Sequence, residues 1–503
     1  RARSGIPDGD ESATHRCASW LADHNKRALL AHGGVGTIDQ ALLAALQSKH
    51  QSLRLLGLHR KVLIVDEVHA CDAYMLRVLE KLLEFHARAG GSAILMSATL
   101  PAHMKSALAR AYTRGLEQPS PALQEQAYPL ATSWTHSAPE RLDEYPLETR
   151  ADVRRTVQIR YQPDRSLVIA EVVRAVEAGW CVVWIRNSIG DVLESVRDLG
   201  QSIASDRIMV FHSRFALGDR LDIEDRVLAT FGPGSDASSR RGRLLIATQV
   251  VEQSLDVDFD LVVSDLAPID RLIQRAGRLH RHRRDPHGNR LPPSEGTDRR
   301  RAGWLWVHGP SWTEAPKSGW VKESMRRTAF VYPNHAQLWL TARALQSGVL
   351  RMPEDARTRI EEVYGENADV PDGLQRSSVD AQGRVYGDTS LADQNCVRIQ
   401  TGYARQGLDW SADTVVPSRL GEATIDVLLG RWDGQSLTPL CHRGDGRHDW
   451  AYSTVRVPTR LIFEAKTDDV PGLPESITRL RDELSGRAAS TVILPFLARP
   501  RIS

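Results

Sequence analysis

The stretch that decides the fold is residues 61–72, which read K-V-L-I-V-D-E-V-H-A-C-D. Its apolar run Val62–Val65 ends abruptly in two carboxylates, and a run without alternation is typical of a strand buried on both faces of a parallel sheet. Asp72 can cap a helix, whose apolar residues recur at helical spacing until Gly90-Gly91. A second apolar run, residues 93–96, follows at once. Strand, helix and strand in this order predict a parallel βαβ unit.

The same pattern restarts after a stretch containing Pro and Ser at residues 117–150. Apolar runs end in polar residues twice more, at Arg186-Asn187-Ser188 and at Thr248-Gln249. Ligands bind at the carboxyl ends of strands in such sheets. A second α/β lobe is therefore predicted, with strands at residues 181–185, 243–247, 261–263 and, last, 304–307.

An arginine-rich stretch, R-L-I-Q-R-A-G-R-L-H-R-H at residues 271–282, follows the second set of strands. On a helix, Arg271, Arg275 and Arg278 would share one face and apolar residues another. The apolar face could then pack, so the arginine face is predicted to point at something anionic. An Arg-, Pro- and Gly-rich stretch to about residue 303 is predicted to be partly loop.

Composition excludes several classes of protein. The chain has 503 residues, 41% hydrophobic and 25% charged, which indicates about three soluble domains and no disordered or fibrous protein. No apolar run reaches the roughly 18 residues of a membrane span. Five cysteines without a C-x-x-C pair fit neither a disulfide framework nor a zinc site, and favour a cytoplasmic setting. The net charge of +2 says little about partners.

The acids and arginines together indicate nucleotide hydrolysis. Asp66 could hold Mg²⁺ through water, and Glu67 could orient and deprotonate an attacking water. Arg275 and Arg278 could act as arginine fingers that stabilise charge on the transferred phosphoryl group. The alternatives, taken motif by motif, are a solvated acidic loop and a basic surface helix.

Four motifs in order carry a resemblance to superfamily 2 DExH helicases. They are Asp66-Glu67-Val68-His69, Ser97-Ala98-Thr99, the run from Ala247 to Asp256, and Gln274-Arg275-Ala276-Gly277-Arg278. Finer details, including V-G-T-I-D-Q at residues 35–40, Q-R-A-G-R-L-H-R at 274–281 and I-E-E-V-Y-G at 360–365, resemble the helicase-nuclease of type I CRISPR interference. The resemblance covers about residues 15–370.

This resemblance implies roles for individual residues. Asp66, with Mg²⁺, and Glu67 are expected to be catalytic, together with His69, Gln274, Arg275 and Arg278. Ser97 and Thr99 are expected to couple ATP hydrolysis to lobe motion, and Gln253 and Asp256 to lie at the nucleotide edge. The residues expected to contact single-stranded DNA are Thr37, Asp39, Gln40, Arg186, Asn187 and Thr248. The implied partners are single-stranded DNA and the guide-RNA surveillance complex, with no membrane.

The expected fold class is α/β, with two RecA-like parallel-sheet lobes, the first incomplete, a helical linker and a small accessory domain. The predicted boundaries are 1–140 for the first lobe, 141–310 for the second, 311–405 for the linker and 406–503 for the C-terminal domain. Residues from about 330 to 405 are expected to be helical in their first half and irregular later.

The sequence also departs from the family pattern. A G-x-x-x-x-G-K-[ST] phosphate-binding loop is expected, but none of the eight lysines follows a glycine. Metal ligands of the nuclease are not recognisable either, since His448-Asp449 is a lone pair. Because the chain starts at Arg1, we interpret it as an N-terminally incomplete piece that lacks both. Two alternatives stay open: another superfamily 2 DNA or RNA helicase, and a non-catalytic fragment that only binds nucleic acid or a partner.

Overall fold

The structure is a computed structural model. It describes residues 28–139, 141–150, 154–252, 255–292, 297–398, 416–443, 446, 448–462, 470–483 and 492–497.

Fifteen strands are numbered in chain order within these residues. They are β1 Val62–Val65, β2 Ser92–Leu95, β3 Leu130–Trp134, β4 Leu142–Pro146, β5 Arg155–Gln162, β6 Val182–Ile185, β7 Ile208–Phe211, β8 Leu244–Ala247, β9 Leu261–Asp265, β10 Trp304–His308, β11 Val349–Met352, β12 Thr424–Trp432, β13 Leu437–Pro439, β14 Thr454–Pro458 and β15 Val492–Leu497.

The α-helices of the same residues are numbered likewise. They are α1 Ile38–Leu42, α2 Gln51–Leu58, α3 Ala73–Arg88, α4 Ala102–Gly115, α5 Arg165–Glu177, α6 Ile189–Leu199, α7 Leu217–Phe231, α8 Ala237–Arg240, α9 Ile269–Ala276, α10 Trp320–Ser324, α11 Arg326–Val331, α12 His335–Leu345, α13 Ala356–Tyr364, α14 Gln375–Asn395, α15 Asp449–Tyr452 and α16 Leu473–Glu483. None of these helices is long and apolar enough to cross a membrane.

The chain forms two compact units, each built from two separate segments. The first unit contains residues 1–154 and 352–420, and the second contains residues 155–351 and 421–503. This grouping divides the chain differently from the predicted boundaries at 140, 310 and 405. The start of the predicted linker joins the second unit, because β11 lies at the edge of that unit's large sheet.

The first unit contains the predicted strand-helix-strand motif. β1 and β2 are parallel, with Val62 beside Ser92 and Val65 beside Leu95. The side chain of Asp72 caps α3 by accepting a hydrogen bond from the Met75 amide at 2.8 Å. Gly90 follows the helix with φ +76°, which glycine adopts without strain.

One face of this two-stranded sheet is exposed in the described residues. Leu63 and Val65 lie in the hydrophobic core with α3, as predicted. Val62 and Ile64 on β1, and Ile94 and Met96 on or beside β2, are 43–59% exposed. The expectation that both faces are buried is therefore wrong for the described part of the unit.

The second unit contains a seven-stranded sheet in the order β11-β5-β10-β9-β6-β8-β7. In this sheet order, all neighbouring strands from β5 to β7 at the far edge pair in parallel. Every residue of β6, β8 and β9 is buried. This parallel-dominated sheet confirms the predicted α/β fold class. In the same unit, β12 pairs with β13, β14 and β15.

Three predictions about elements are corrected. The helix at residues 271–282 is shorter, because α9 begins at Ile269 and ends at Ala276, with Gly277 as its C-cap. β10 is not the last strand of the large sheet, since β11 lies beyond it in the chain. The later part of residues 330–405 is not irregular, because α14 runs for 21 residues there.

Candidate functional site

The two carboxylates after β1 lie at the carboxyl end of the small parallel sheet. The Glu67 backbone amide donates to Asp66 Oδ1 at 2.9 Å. Glu67 has φ 53° and ψ 44°, a left-handed conformation that is uncommon and unfavourable for a residue with a side chain. Strain of this kind clusters at functional sites. The side chain that this backbone presents is 54% exposed, so it is open to a ligand or to water.

His69 connects the acid pair to the end of the neighbouring strand. Its Nδ1 lies 3.3 Å from Glu67 Oε2 and 3.1 Å from Ser97 Oγ. The His69 side chain is only 3% exposed, so its ring orientation is fixed by packing. The structure therefore brings together three of the predicted site residues, Glu67, His69 and Ser97.

Thr99 lies beside this cluster and is buried. Its backbone amide donates to Ser97 Oγ at 3.4 Å. Its own hydroxyl has no hydrogen-bond partner among the described residues. Ser97 thus contacts both His69 and the backbone of Thr99, which makes these three residues one connected group.

In the second unit, Arg275 is the centre of a buried polar cluster. Its Nε donates to Glu252 Oε1 at 2.7 Å, and both side chains are fully buried. Its Nη1 donates to Ser264 Oγ at 2.8 Å, and its Nη2 donates to Asn187 Oδ1 at 3.1 Å. Burial by itself would lower the pKa of Arg275, but the Glu252 carboxylate raises it above its ordinary value.

This environment corrects the prediction that Arg275 and Arg278 share an exposed face. Arg275 points into the unit and is neutralised there by Glu252. Arg278 lies beyond the end of α9 and is partly exposed, with its Nη2 donating to the Glu252 carbonyl. Gln274 lies in the last turn of α9 and is also partly exposed.

Arg186, which the family resemblance predicts as a DNA contact, is buried in the second unit. It is 4% exposed, its Nε donates to Asp265 Oδ2 at 2.9 Å, and its guanidinium carbon lies 4.6 Å from the centre of the Trp184 ring. The neighbouring Asn187 and Thr248 are also buried. Asn187 donates through Nδ2 to the Leu266 carbonyl at 2.8 Å. The Arg186 charge is thus held inside the second unit.

The three DNA-contact candidates of the first unit lie around the start of α1. Thr37 is exposed, and its side chain makes no capping hydrogen bond. Asp39 binds the Arg419 guanidinium through both carboxylate oxygens at 2.6 Å, and this contact lowers the pKa of Asp39. Gln40 accepts a hydrogen bond from Arg54 at 2.8 Å.

Of the two residues predicted at the nucleotide edge, Asp256 lies within the described residues. Asp256 is half exposed and lies 2.6 Å from Arg281 Nε and 3.0 Å from His282 Nε2. Gln253 lies outside the described residues.

The acids that hold the arginines of the second unit are not among the residues predicted from the sequence. Asp265 ends β9, so it has the same signal that singled out Asp66: a carboxylate at the end of an apolar run. Glu252 lies within the recognised run 247–256 but was not assigned a role. Its pairing with Arg275, 23 residues away, has no local signal in the sequence.

A second buried cluster that was missed surrounds Asp258. Its carboxylate contacts Arg240, Arg284 and Arg300 at 2.8–3.0 Å. Burial alone would raise the pKa of Asp258, but these guanidinium groups lower it to about 2. Two of the arginines, Arg284 and Arg300, come from the stretch predicted to be partly loop, so that stretch is anchored in the second unit by buried ion pairs.

The described residues contain no group of three or more His, Cys, Asp or Glu side chains arranged to hold a metal ion. The carboxylates of Asp66 and Glu67 are both exposed.

Comparison with known proteins finds similarity to CRISPR-associated nuclease/helicases. The family model described as CRISPR-associated nuclease/helicase Cas3, C-terminal, matches residues 178–284. The CRISPR-associated endonuclease/helicase Cas3 of Escherichia coli (strain K12) is 39% identical over 302 residues, which cover 58% of this chain and 33% of that protein.

Solved structures agree with the sequence comparison. The crystal structure of T. fusca Cas3 with AMPPNP has a TM-score of 0.76 and 28% identity, and the match covers 95% of this chain and 55% of that one. A chain in a structure of a CRISPR RNA-guided surveillance complex, pre-nicking, has a TM-score of 0.72 and 26% identity, over 97% of this chain and 61% of that one. These matches confirm the predicted resemblance: the chain is similar to the CRISPR-associated Cas3 nuclease/helicases. It spans a third of the E. coli relative and 55–61% of the two solved chains.

Proposed function

We propose that this chain supplies the two lobes of an ATP-dependent helicase that moves along single-stranded DNA in type I CRISPR defence. The observation that carries the proposal is the cluster at the end of β1 and β2. It joins a strained, exposed glutamate to a buried histidine and a serine from the adjacent strand. This arrangement suits a hydrolytic site whose state is passed to a second element of the same unit.

In this proposal, the residues of the first unit have separate roles. Asp66 would hold Mg²⁺ through water, and the ion would neutralise charge on the ATP phosphates. Glu67 would accept a proton from the attacking water, because its carboxylate is exposed and held in place by its backbone and by His69. A movement of Glu67 would reach Thr99 through His69 and Ser97, since Ser97 contacts both His69 and the Thr99 amide.

The arginines of the second unit would also divide their roles. Arg278 is the better candidate for an arginine finger, because it is partly exposed. Arg275 would position it, since Glu252 accepts a hydrogen bond from Arg275 through its side chain and from Arg278 through its backbone carbonyl. Gln274 and Asp256, both accessible, would lie near the nucleotide.

The proposed DNA contacts of the first unit lie at the start of α1. Thr37 is exposed, and Gln40 is partly exposed, so both can reach a strand that is tracked through its backbone. Asp39, held by Arg419, would fix the orientation of this helix start. Asn187 and Thr248 would shape the strand ends of the second unit from buried positions.

Two partners follow from the family. One is a segment that carries the phosphate-binding loop, because none of this chain's eight lysines follows a glycine. In the family this segment comes with a metal-dependent nuclease upstream. The other is the guide-RNA surveillance complex, since a similar chain occurs in a structure of such a complex.

The proposal is tested by measuring ATP hydrolysis with and without single-stranded DNA. The chain would be assayed alone and together with a segment that carries a G-x-x-x-x-G-K-[ST] loop. DNA-stimulated turnover only in the mixture, and its loss in Glu67→Gln, would support the helicase. Single-stranded DNA binding without turnover in any mixture would favour the non-catalytic fragment. Turnover stimulated by RNA but not by DNA would favour another superfamily 2 helicase.

A further inference from the structure

The segment after β2 that contains Ser97 and Thr99 is held from outside by residues far away in sequence. Backbone groups of three alternate residues of this segment, Ala98, Leu100 and Ala102, are bound by side chains. Tyr128 Oη donates to the Ala98 carbonyl at 2.5 Å. Arg357 Nη1 donates to the Leu100 carbonyl at 3.0 Å, and Glu361 Oε1 accepts from the Ala102 amide at 3.0 Å.

Glu361 supplies what the start of α4 lacks. The N-cap of α4 is Pro101, which has no side-chain acceptor and makes no capping hydrogen bond. The first amides of a helix have no partner within the helix, and a carboxylate is favourable there because of the helix dipole. Glu361, 259 residues further along the chain, provides that carboxylate.

Arg357 and Glu361 act together, because they lie one turn apart on α13. Arg357 Nη1 is 3.2 Å from Glu361 Oε1, and the two side chains are 18% and 30% exposed. On the same helix Ala356, Ile360 and Val363 are buried, so the helix is fixed by packing and presents one donor and one acceptor to the segment. The segment offers the matching acceptor and donor at Leu100 and Ala102.

Tyr128 binds the same segment at Ala98, before Thr99 in the sequence, whereas Arg357 and Glu361 bind it after Thr99. Burial raises the pKa of its hydroxyl, so the group stays protonated and can donate to Ala98. Its own stretch of chain is tied to α4 by Lys105, whose Nζ lies 3.0 Å from Glu144 Oε1. Glu144 in turn accepts from the amides of Gln124 and Glu125.

We propose that Tyr128, Arg357 and Glu361 are positioning residues that fix residues 97–102, so that Ser97 stays within reach of His69. We call the three hydrogen bonds made by Tyr128, Arg357 and Glu361 the clamp. The role of the contact between Ser97 and His69 in hydrolysis rests on the proposed function, but the clamp itself does not.

The test is amide hydrogen–deuterium exchange in the full chain, read on peptides that cover residues 97–105. In Glu361→Ala, exchange at the Ala102 amide is expected to accelerate by roughly fivefold to tenfold, the usual consequence of losing a helix cap. Glu361→Gln keeps the acceptor oxygen and should restore most of the protection. Glu362→Ala is the matched control, because Glu362 lies on the same helix and pairs with Arg359 instead.

Unchanged exchange of residues 97–105 in Glu361→Ala would overturn the proposal. If Glu361→Ala does not fold, Tyr128→Phe is used, since it removes only the hydroxyl that reaches Ala98. It should accelerate exchange around Thr99 and leave the remainder of the chain unchanged.

A second readout uses the chain supplemented with a phosphate-loop segment. Tyr128→Phe should lower the DNA-stimulated kcat severalfold, with the KM for ATP unchanged. Faster exchange without any turnover in the wild type would remove the helicase function and leave the clamp in place. Faster exchange with an unchanged kcat would show that the clamp does not serve the coupling segment, and would overturn its proposed role.

Discussion

The Nε atom of Arg275 lies 2.7 Å from Oε1 of Glu252, and neither side chain is accessible to solvent. An arginine that the sequence suggests for catalysis is thus half of a buried ion pair. Such a pair tolerates the loss of one partner poorly, because the other charge is left buried and uncompensated.

We therefore expect Arg275→Ala to destabilise the second unit by about 3–5 kcal/mol. Chemical denaturation followed by tryptophan fluorescence would measure this loss. Arg271→Ala is the matched control on the same helix: its side chain is 26% exposed and lies 3.7 Å from Glu252 Oε2, so about 1 kcal/mol or less is expected. Equal losses in the two variants would contradict the special position of Arg275.

Arg186→Ala should alter stability and leave the salt dependence of DNA binding unchanged. Its guanidinium is 4% exposed and paired with Asp265, so its removal leaves a buried carboxylate and should destabilise the second unit by about 3 kcal/mol. Fluorescence anisotropy with single-stranded oligonucleotides at several salt concentrations gives the slope. A decrease of about 0.7 in that slope would show one lost phosphate contact and return Arg186 to the DNA path.

The isolated chain should hydrolyse ATP slowly or not at all. None of its eight lysines follows a glycine, so the sequence offers no Gly-Lys pair of a phosphate-binding loop, and the contacts of such a loop contribute several kcal/mol at the transition state. A steady-state assay with single-stranded DNA measures this. Turnover on the order of 1 s⁻¹ from the purified chain would show that the chain binds the phosphates of ATP without such a loop.

With a phosphate-loop segment supplied, Glu67→Gln should abolish turnover and still allow nucleotide binding. Glutamine keeps the shape of the side chain but cannot accept the proton of the attacking water. Binding of a fluorescent ATP analogue and steady-state hydrolysis would be measured side by side. Undiminished hydrolysis would assign the proton transfer to another group.

Acid should weaken the second unit through Asp258. Arginines hold the pKa of this carboxyl at about 2, below the ordinary 3.8, so its contribution is present above about pH 4 and is lost as the pH falls through 2. The shift corresponds to about 2 kcal/mol. Asp258→Asn should remove this part of the acid dependence in denaturation curves at pH 2–5. Asp206→Asn, at a carboxyl that is 76% exposed, should leave it unchanged.

The strands and the acid cluster could be predicted because their signals are local. An apolar run that ends in a carboxylate identifies β1 and its site within six residues, and Asp72 and Gly90 mark the ends of the next helix. The parallel pairing of β1 with β2 then brings Ser97 to His69 without further information.

The positions of the arginines could not be predicted in this way. Arg186 and Asp265 are 79 residues apart, and no local pattern shows that one neutralises the other. α14 was missed for a different reason. Its sequence is mostly polar, contains Gly383 and Gly387, and buries only Ala392 among its residues, so it has no apolar stripe of helical period.

The division of the chain into two interleaved units has a consequence for synthesis. Residues 155–352 contain all seven strands of the large sheet, so that sheet can form once they have left the ribosome. The first unit begins earlier but is finished later. Arg419, which binds Asp39, and Pro417, whose carbonyl accepts from Tyr74, are made more than 340 residues after their partners. The first unit can therefore complete its core only after the ribosome has made residues 155–351, which belong to the other unit, and then the first unit's own second segment.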